Sequence, residues 1–344
     1  MIQIFVFPIH CYKLFTIVKL SVRKHYETLI HLYPLGVYAV QVLTKDFFLY
    51  LSKNKALNRA AQNWGGNIAA GKIVGGLDFP SSIKFIKELN EEGLSVTVDH
   101  LGEFVTSYEI ARERTDECIQ TIENIAVQGL DSQVSLKMTS LGLDIDEKLV
   151  YENMTRILDT AEKHKIMVTI DMEDEQRCQK TLDIFKDFKQ RYTHISTVLQ
   201  AYLYRTEDDM KDLNQYKPFL RLVKGAYKES AKVAFPDKAD VDENYKKIIK
   251  MHLLNGNYTA IATHDDAMID YTKKLVKEHQ IPTTQFEFQM LYGMRTVTQK
   301  ELVKEGYKMR VYVPYGNDWY GYFMRRLAER PSNIAFALKG MTQK

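Results

Sequence analysis

The chain has 344 residues, of which 45% are hydrophobic and 26% charged, with a formal net charge of +3. This composition excludes a chain that is disordered or embedded in a membrane throughout, and it is enough for one large domain or two ordinary ones. The small net charge, without a basic stripe, argues against nucleic-acid binding. Cys11, Cys118 and Cys178 are widely spaced and form no CxxC pair, which predicts a reducing compartment and no metal cage.

Residues 1–44 contain no aspartate and a single glutamate, with basic residues among many apolar ones. No apolar run approaches the roughly 18 to 20 residues that a membrane-spanning helix needs. No signal-peptide cleavage site follows an apolar segment. We therefore predict an N-terminal extension over residues 1–44 that is either poorly ordered or interfacial. Residues 45–344 are predicted to form a single domain.

The hydrophobic pattern predicts helices at 46–63 and 81–90, separated by a glycine-rich patch that lacks the G-x-G-x-x-G order of a dinucleotide fold. Strands and helices then alternate regularly. The predicted strands are 94–98, 134–138, 166–171, 197–202, 220–223, 259–263, 286–288 and 309–313. The predicted helices are 106–128, 146–164, 173–191, 207–216, 241–254, 267–278, 297–305 and a last one that begins after residue 318.

Eight strand–helix units in about 240 residues are typical of a (βα)8 TIM-like barrel. The predicted fold class is therefore α/β, a TIM-like barrel with extra N-terminal helices. A doubly wound open sheet is the structural alternative. In a barrel of this kind the active site lies at the carboxyl ends of the strands.

Polar residues occur at all the predicted strand ends. Each could have a structural role, but buried charges are costly unless paired, so a ring of them predicts a functional site. They are Asp99, His100, Glu103, Lys137, Asp171, Gln200, Tyr202, Arg221, Lys224, His264, Asp265, Glu287, Gln289 and Tyr312.

The ring also contains residue types that can ligate a metal, such as Asp171, His264 and Asp265. No H-x-H, H-E-x-x-H or cysteine set is present, and the lysines and arginines at the same end would repel a cation. We therefore expect no catalytic metal. The cations and aromatic rings favour an anionic organic cofactor and a small carboxylate substrate. Arg221, Lys224 and the backbone near Gly225 are suited to hold phosphates.

The C-terminal segment carries a second polar group. The last predicted strand is expected to end at Pro314 and Gly316, and Asn317 or Asp318 to cap the helix that follows. Alone, the polar face of this helix would be a solvated surface, although two adjacent arginines can also grip a carboxylate. Its residues, spaced i, i+3, i+4 and i+7, are Tyr322, Arg325, Arg326 and Glu329.

The motifs along residues 45–340 resemble, in order, those of monofunctional proline dehydrogenases of the short bacterial type. The combination is specific, although no single motif is. The matching motifs are LGEF (101–104), SLKMT (135–139), TIDME (169–173), LQAYLYRT (199–206), RLVKGAYKES (221–230), ATHD (262–265), FEFQMLYGM (286–294) and YGYFMRRLAERPSN (320–333).

The resemblance implies a distorted (βα)8 barrel that holds FAD without a covalent bond. It implies oxidation of L-proline to Δ1-pyrroline-5-carboxylate by hydride transfer to the flavin, the first step of proline catabolism to glutamate. The electrons would pass to a membrane quinone, and a pyrroline-5-carboxylate dehydrogenase would use the product. The expected location is the cytoplasm, with peripheral contact at the inner face of the cell membrane.

The resemblance also assigns residues. Lys137, Arg325 and Arg326 would hold the substrate carboxylate, and Glu103 would pair with Arg325 as a gate. The ring of the substrate would be walled by Tyr227, Leu291, Tyr312 and Tyr322. The positions around the flavin or its supports would be Asp171, Met172, Val198, Gln200, Arg221, Val223, Lys224, Gly225, Ala226, Tyr227, Thr263, His264, Gln289, Arg326 and Glu329.

Two departures stand beside the resemblance. Lys228 follows Tyr227 where some relatives place an aromatic residue, and residues 1–44 match no segment of the family. The reaction needs a neutral substrate amine, and a cation-rich rim around Lys137 would help by disfavouring the ammonium form. The alternatives are a metal-dependent barrel hydrolase using Asp171, His264 and Asp265, and a barrel that binds an amino acid without turnover.

Overall fold

The computed structural model describes residues 74–329, together with Phe48 and Leu51, and excludes the side chains of 327–329. The chain groups into two compact units, residues 70–316 and residues 1–69 with 317–344. The predicted boundary at residues 44 and 45 lies outside the described residues. The single domain over 45–344 stays a prediction.

Residues 95–315 contain a closed barrel of eight parallel strands in the order of the sequence, which confirms the predicted TIM-like fold. Each strand pairs with the next, and β8 closes the ring on β1. The strands are β1 (Ser95–His100), β2 (Ser132–Lys137), β3 (Val168–Asp171), β4 (Ile195–Gln200), β5 (Leu220–Val223), β6 (Thr259–Ala262), β7 (Phe286–Leu291) and β8 (Met309–Tyr315).

Helices precede β1 and connect the strands, and side-chain caps fix several of their starts. Asp78, for example, accepts a hydrogen bond from Ser81 N and forms a capping box with it. The helices of this unit are α1 (Phe79–Glu91), α2 (Tyr108–Gln128), α3 (Glu147–His164), α4 (Glu175–Lys189), α5 (Thr206–Leu213), α6 (Lys238–Leu254), α7 (Asp266–Glu278) and α8 (Thr296–Lys304).

The strands are buried on both faces. Successive side chains along a strand point to opposite faces, and the two faces differ in polarity. On β7, Phe286 and Phe288 belong to the apolar cluster of the barrel unit, whereas Glu287 and Gln289 alternate with them. Glu287 and Gln289 bond to each other and to arginines on other strands. The inside of this barrel is therefore lined by a polar network, while apolar packing stabilises its outer face.

Some predicted boundaries were wrong at the strand ends. β7 continues three residues beyond the predicted Phe288, and β4 ends at Gln200, two residues before Tyr202. Pro314 does not stop β8, which continues to Tyr315. Proline lacks only the N–H donor, and the Pro314 carbonyl still accepts a hydrogen bond from Gly75 N at 2.9 Å.

In the other unit, α9 (Trp319–Glu329) confirms the predicted C-terminal helix. Phe48 and Leu51 are helical, in agreement with the predicted helix 46–63, whose remaining residues lie outside the described ones. Within the described residues, no helix is long and apolar enough to cross a membrane.

Candidate active site

The carboxyl end of the barrel gathers the predicted residues of the barrel unit. Each lies in a strand or in the loop that follows the carboxyl end of a strand. They are Glu103 after β1, Lys137 on β2, Asp171 and Met172 at the end of β3, Val198 and Gln200 on β4, Arg221 and Val223 on β5, Lys224, Gly225, Ala226 and Tyr227 after it, Thr263 and His264 after β6, Gln289 and Leu291 on β7, and Tyr312 on β8.

Asp171 is the centre of this group. One of its carboxylate oxygens accepts hydrogen bonds from Arg221 Nη1 at 2.5 Å and Ser135 Oγ at 2.7 Å. The other oxygen accepts from the Tyr312 hydroxyl at 2.7 Å and lies 3.8 Å from Lys137 Nζ. Lys137 and Asp171 are register partners on β2 and β3, so both side chains reach the same level of the barrel. Four strands thus converge on one carboxylate.

Lys137 has its closest partner in Asp99 of β1. Its Nζ donates to both carboxylate oxygens of Asp99, at 2.9 and 3.0 Å. Burial alone would lower the pKa of Lys137, but Asp99 and Asp171 outweigh it and hold that pKa above its ordinary value. Lys137 is therefore a fixed cation. Asp99 was noticed at a strand end in the sequence but was not assigned to the site.

Arg221 crosses the inside of the barrel. Its Nε donates to Gln289 Oε1 at 2.7 Å, and its guanidinium lies 5.2 Å from the centre of the Tyr312 ring. Only 4% of the residue is exposed. Among the residues that the structure describes, its Nη2 has no hydrogen-bond partner.

A second buried polar atom that lacks a hydrogen-bond partner among the described residues lies on the neighbouring strand, β4. Gln200 donates through Nε2 to the carbonyl oxygen of Glu173 at 3.0 Å. No described residue donates to its Oε1. Arg221 Nη2 and Gln200 Oε1 thus offer a donor and an acceptor, which suits a bound molecule with polar atoms of both kinds.

Three cations at the carboxyl end of the barrel, Lys137, Arg221 and Lys224, are paired with carboxylates. Lys137 is paired with Asp99, and Arg221 with Asp171. Lys224 Nζ lies between two acids, 2.5 Å from Asp242 and 2.7 Å from Asp265. Each of these three cations is therefore compensated by at least one carboxylate.

The loop after β5 is shaped by Gly225. Its φ of +112° lies in a region that residues with a Cβ rarely adopt, and an added Cβ would come within 2.3 Å of the Tyr202 ring. After β6, His264 Nε2 accepts a hydrogen bond from Leu291 N at 3.0 Å. The neutral form of His264 therefore carries its proton on Nδ1.

The loop that carries Glu103 is fastened through Thr139. Phe104 N donates to Thr139 Oγ1 at 3.0 Å, and Thr139 donates in turn to both carboxylate oxygens of Glu173. Burial raises the pKa of Glu173 to about 7, although the two hydrogen bonds from Thr139 oppose the shift. Sequence reasoning missed Glu173, although its place two residues after the end of β3 was a usable signal.

The residues predicted on α9 belong to the other unit. The Arg326 guanidinium lies 5.4 Å from the centre of the Tyr322 ring, a cation–π contact between residues four apart on the helix. The side chain of Glu329 lies outside the described residues. The roles predicted for Tyr322, Arg325, Arg326 and Glu329 toward a substrate or cofactor stay predictions.

Comparison with known proteins gives consistent matches. The sequence model of the family described as proline dehydrogenase matches residues 82–338. Proline dehydrogenase 2 of Bacillus subtilis (strain 168) is 76% identical over 303 residues, which cover 88% of this chain and 100% of the relative. Proline dehydrogenase of Deinococcus radiodurans is 44% identical over 307 residues, covering 88% and 99%.

Among solved structures, proline utilization A from Bdellovibrio bacteriovorus, inactivated by N-propargylglycine, superposes with a TM-score of 0.71 at 25% identity. The match covers 78% of this chain and 33% of that structure, so this chain corresponds to about a third of the larger protein. With the family match over most of the barrel and near full-length relatives, the chain belongs to the proline dehydrogenase family.

Proposed function

We propose that this chain oxidises L-proline to Δ1-pyrroline-5-carboxylate, with FAD as its bound cofactor and a quinone to which the electrons pass. The observation that carries the proposal is the Asp171 cluster, which consists of Asp171 and its partners Ser135, Lys137, Arg221 and Tyr312. This cluster lies at the carboxyl end of a barrel whose sequence matches the proline dehydrogenase family. The proposal makes the chain an oxidoreductase of proline catabolism.

Two features of the barrel unit support a bound flavin. Arg221 Nη2 and Gln200 Oε1 are a buried donor and a buried acceptor without partners among the described residues. Gly225 keeps the loop after β5 free of a side chain where a Cβ would strike Tyr202. When bound, FAD supplies the acceptor for a hydride from the substrate. Gln200, Arg221 and the 224–227 loop are the groups that we infer hold it.

The remaining groups orient the substrate. Lys137, held as a cation by Asp99, is a fixed positive charge suited to one oxygen of the proline carboxylate. We infer that Arg325 and Arg326 of α9 bind the same carboxylate. Leu291 and Tyr312 would wall the ring, together with Tyr227 and Tyr322, and exclude larger amino acids. Their task is orientation, because a carboxylate fixed at several points determines which ring carbon is presented for oxidation.

Oxidation removes a hydride from the ring carbon next to nitrogen and one proton from the amine, which leaves the C=N bond of the product. A neutral amine is the reactive form. The charge of Lys137 disfavours the ammonium form of an amine bound beside it, whereas the nearby Asp171 favours it. Asp171 is paired with Arg221 and Lys137 with Asp99, so neither charge acts alone on an amine bound beside them.

The wider context is proposed on the same basis. A quinone acceptor would require the protein to meet a membrane surface, and we propose a cytoplasmic protein with peripheral contact at the inner face. The product would be consumed by a pyrroline-5-carboxylate dehydrogenase.

The metal-hydrolase alternative would use three groups that each have other partners. Asp171 is bonded to Arg221 and Tyr312, and Asp265 is paired with Lys224. His264 Nε2 accepts from Leu291 N. Among the described residues, no group of three or more His, Cys, Asp and Glu is arranged to hold a metal ion. The contacts of Asp171, Asp265 and His264 thus favour the flavin proposal over a metal site.

An absorption spectrum tests the proposal directly. The purified protein should be yellow, and adding L-proline without oxygen should bleach the flavin absorption. D-Proline is the matched control and should leave the spectrum unchanged, because the carboxylate grip would present the wrong face of the ring. A colourless protein that reduces no dye with L-proline after FAD is added back would overturn the proposal.

A further inference from the structure

A second buried charge pair lies next to the Asp171 cluster inside the barrel. Glu287 of β7 is fully buried and Arg310 of β8 is 4% exposed. Arg310 Nε donates to Glu287 Oε1 at 2.7 Å, and Arg310 Nη2 donates to Oε2 at 3.2 Å. Tyr258 adds a hydroxyl donor to Oε2 at 2.9 Å. None of these three residues is assigned a role in the proposed reaction.

Gln289 connects this pair to Arg221. Its Nε2 donates to Glu287 Oε1 at 2.7 Å, and its Oε1 accepts from Arg221 Nε at 2.7 Å. Gln289 itself is 3% exposed. An uninterrupted series of hydrogen bonds therefore runs from Glu287 through Gln289 and Arg221 to Asp171.

The small side chains of β6 make this connection possible. In the sheet register, Arg221 pairs with Ala260, and Ala260 pairs with Glu287. One level further on, Ala262 pairs with Gln289. Because β6 presents only methyl groups at these two levels, Arg221 of β5 can reach across β6 to the Gln289 amide of β7.

The orientation of the Gln289 amide depends on Glu287. A primary amide has a donor end and an acceptor end of nearly the same shape, so its partners decide which way it lies. A carboxylate only accepts, and a guanidinium only donates. With Glu287 ionised, Nε2 must face Glu287 and Oε1 must face Arg221. The reverse orientation would set two acceptors and two donors against each other.

We propose that Glu287 is a positioning residue of the active site, which fixes the Gln289 amide and through it the place of the Arg221 guanidinium. With Nε held by Gln289 and Nη1 by Asp171, Arg221 has a defined orientation in which Nη2 is left for a ligand. The consequence for catalysis rests on the proposed function, since it requires that Arg221 lies beside the flavin.

This orientation of Gln289 requires that Glu287 is ionised. Burial alone would raise the pKa of Glu287, but the attraction of Arg310 outweighs it and lowers the pKa to about 2. Lys308 Nζ lies 3.3 Å from Oε2 and acts in the same direction. The orientation of Gln289 is therefore the same over the whole working range of pH.

Three single variants of the flavin-loaded protein test the proposal. E287Q keeps the shape but offers an amide that can donate or accept, so Gln289 is no longer forced to face Arg221 with its oxygen. Q289M removes the connector without changing any charge. Both should lower kcat/KM for L-proline by about tenfold or more, the factor expected when a hydrogen bond to a charged group is lost. Y258F is the matched control, because it removes a donor from the other oxygen of Glu287 and leaves Gln289 untouched. It should stay within about twofold of the parent protein.

The flavin midpoint potential separates positioning from a direct effect of charge. A displaced Arg221 withdraws positive charge from the flavin, so E287Q and Q289M should both lower the potential. If Glu287 acted only through its own charge, its loss in E287Q would raise the potential instead, and Q289M would leave it unchanged. Either result would overturn the proposal.

The double variant E287Q/Q289M provides the last test of the proposal. If Glu287 acts through Gln289, then adding E287Q to Q289M should lower kcat/KM no further. Fully additive losses would show that the two residues act independently and would overturn the proposal.

The failure of this proposal can be distinguished from the failure of the proposed function. If L-proline bleaches the flavin of the parent protein and these variants behave like Y258F, the positioning role fails and the proposed function stands. If the parent does not bleach, the proposed function has failed. Because Q289M leaves Glu287 and Arg310 paired, the test does not depend on the folding of E287Q.

Discussion

Lys137 Nζ donates to both carboxylate oxygens of Asp99, at 2.9 and 3.0 Å, and the two residues lie at the ends of neighbouring strands. Asp99 is 3% exposed and the Lys137 side chain 15%, so most of the pair is shielded from water. Removing one partner of a buried pair leaves the other charge uncompensated, which costs more than the pair itself contributes.

The first prediction follows from this contact. D99N should lower the free energy of unfolding by about 3 to 5 kcal/mol, measured by urea denaturation. D99N/K137M, which removes both charges, should recover most of that loss. The matched control is D116N, since Asp116 and Arg156 form an ion pair at 2.6 Å with side chains about half exposed. It should cost about 1 kcal/mol or less. Equal losses for D99N and D116N would contradict the prediction.

The strand–helix rhythm predicted the barrel because both of its signals are local. Parallel strands that are buried on both faces read as short apolar segments, and capping residues such as Ser107 and Asp146 begin the helices. The strand ends were less predictable. Pro314 signals a break by its chemistry, but in β8 the sheet keeps it because its carbonyl retains a partner.

The sequence also predicted only part of the site. Strand ends and motifs identified Lys137, Asp171 and Arg221, but not which groups neutralise them. Those partners come from other strands through the barrel register, as Asp99 does for Lys137. The sequence shows the charged residues one by one, whereas the electrostatics depends on pairs across the barrel.

The second prediction concerns the centre of the cluster. D171N keeps an acceptor for the Tyr312 hydroxyl but loses the charge that pairs with Arg221. Proline-dependent flavin bleaching should fall about 100-fold in kcat/KM, as expected when a buried charged contact is broken. S135A is the control, because it removes a neutral donor to the same Asp171 oxygen and a neutral acceptor for Arg221 Nη1 without changing any charge, and it should cost about tenfold or less. Equal effects would show that the charge of Asp171 is not what matters.

The third prediction uses two glycines with positive φ. At Gly225 an added Cβ would meet the Tyr202 ring at 2.3 to 2.5 Å, whereas at Gly256, with φ of +76°, it would meet nothing within 4 Å. G256A should therefore cost only the backbone strain, about 1 to 3 kcal/mol, and the protein should stay yellow. G225A must also move the loop after β5, so the flavin-to-protein absorbance ratio of the purified protein should fall. Flavin retained fully in G225A would remove this loop from the cofactor site.

The last prediction is a pH dependence of stability due to Glu173. The folded-state pKa of Glu173 is about 7, above its ordinary value near 4.5, so the folded protein holds the proton more tightly than the unfolded chain does. Stability from this group is fully present below pH 4.5 and is lost as pH rises through 7. The shift corresponds to about 3 kcal/mol at most.

E173Q has no proton to lose, so its free energy of unfolding should fall less than that of the parent between pH 5 and pH 8 in urea denaturation. The difference between the two proteins isolates Glu173 from the other titrating groups. E113Q, at an exposed position of α2, should follow the parent curve. Parallel curves for the parent and E173Q would show that Glu173 stays ionised throughout. In that case the hydrogen bonds from Thr139, which also carries the Glu103 loop, would outweigh the cost of burial.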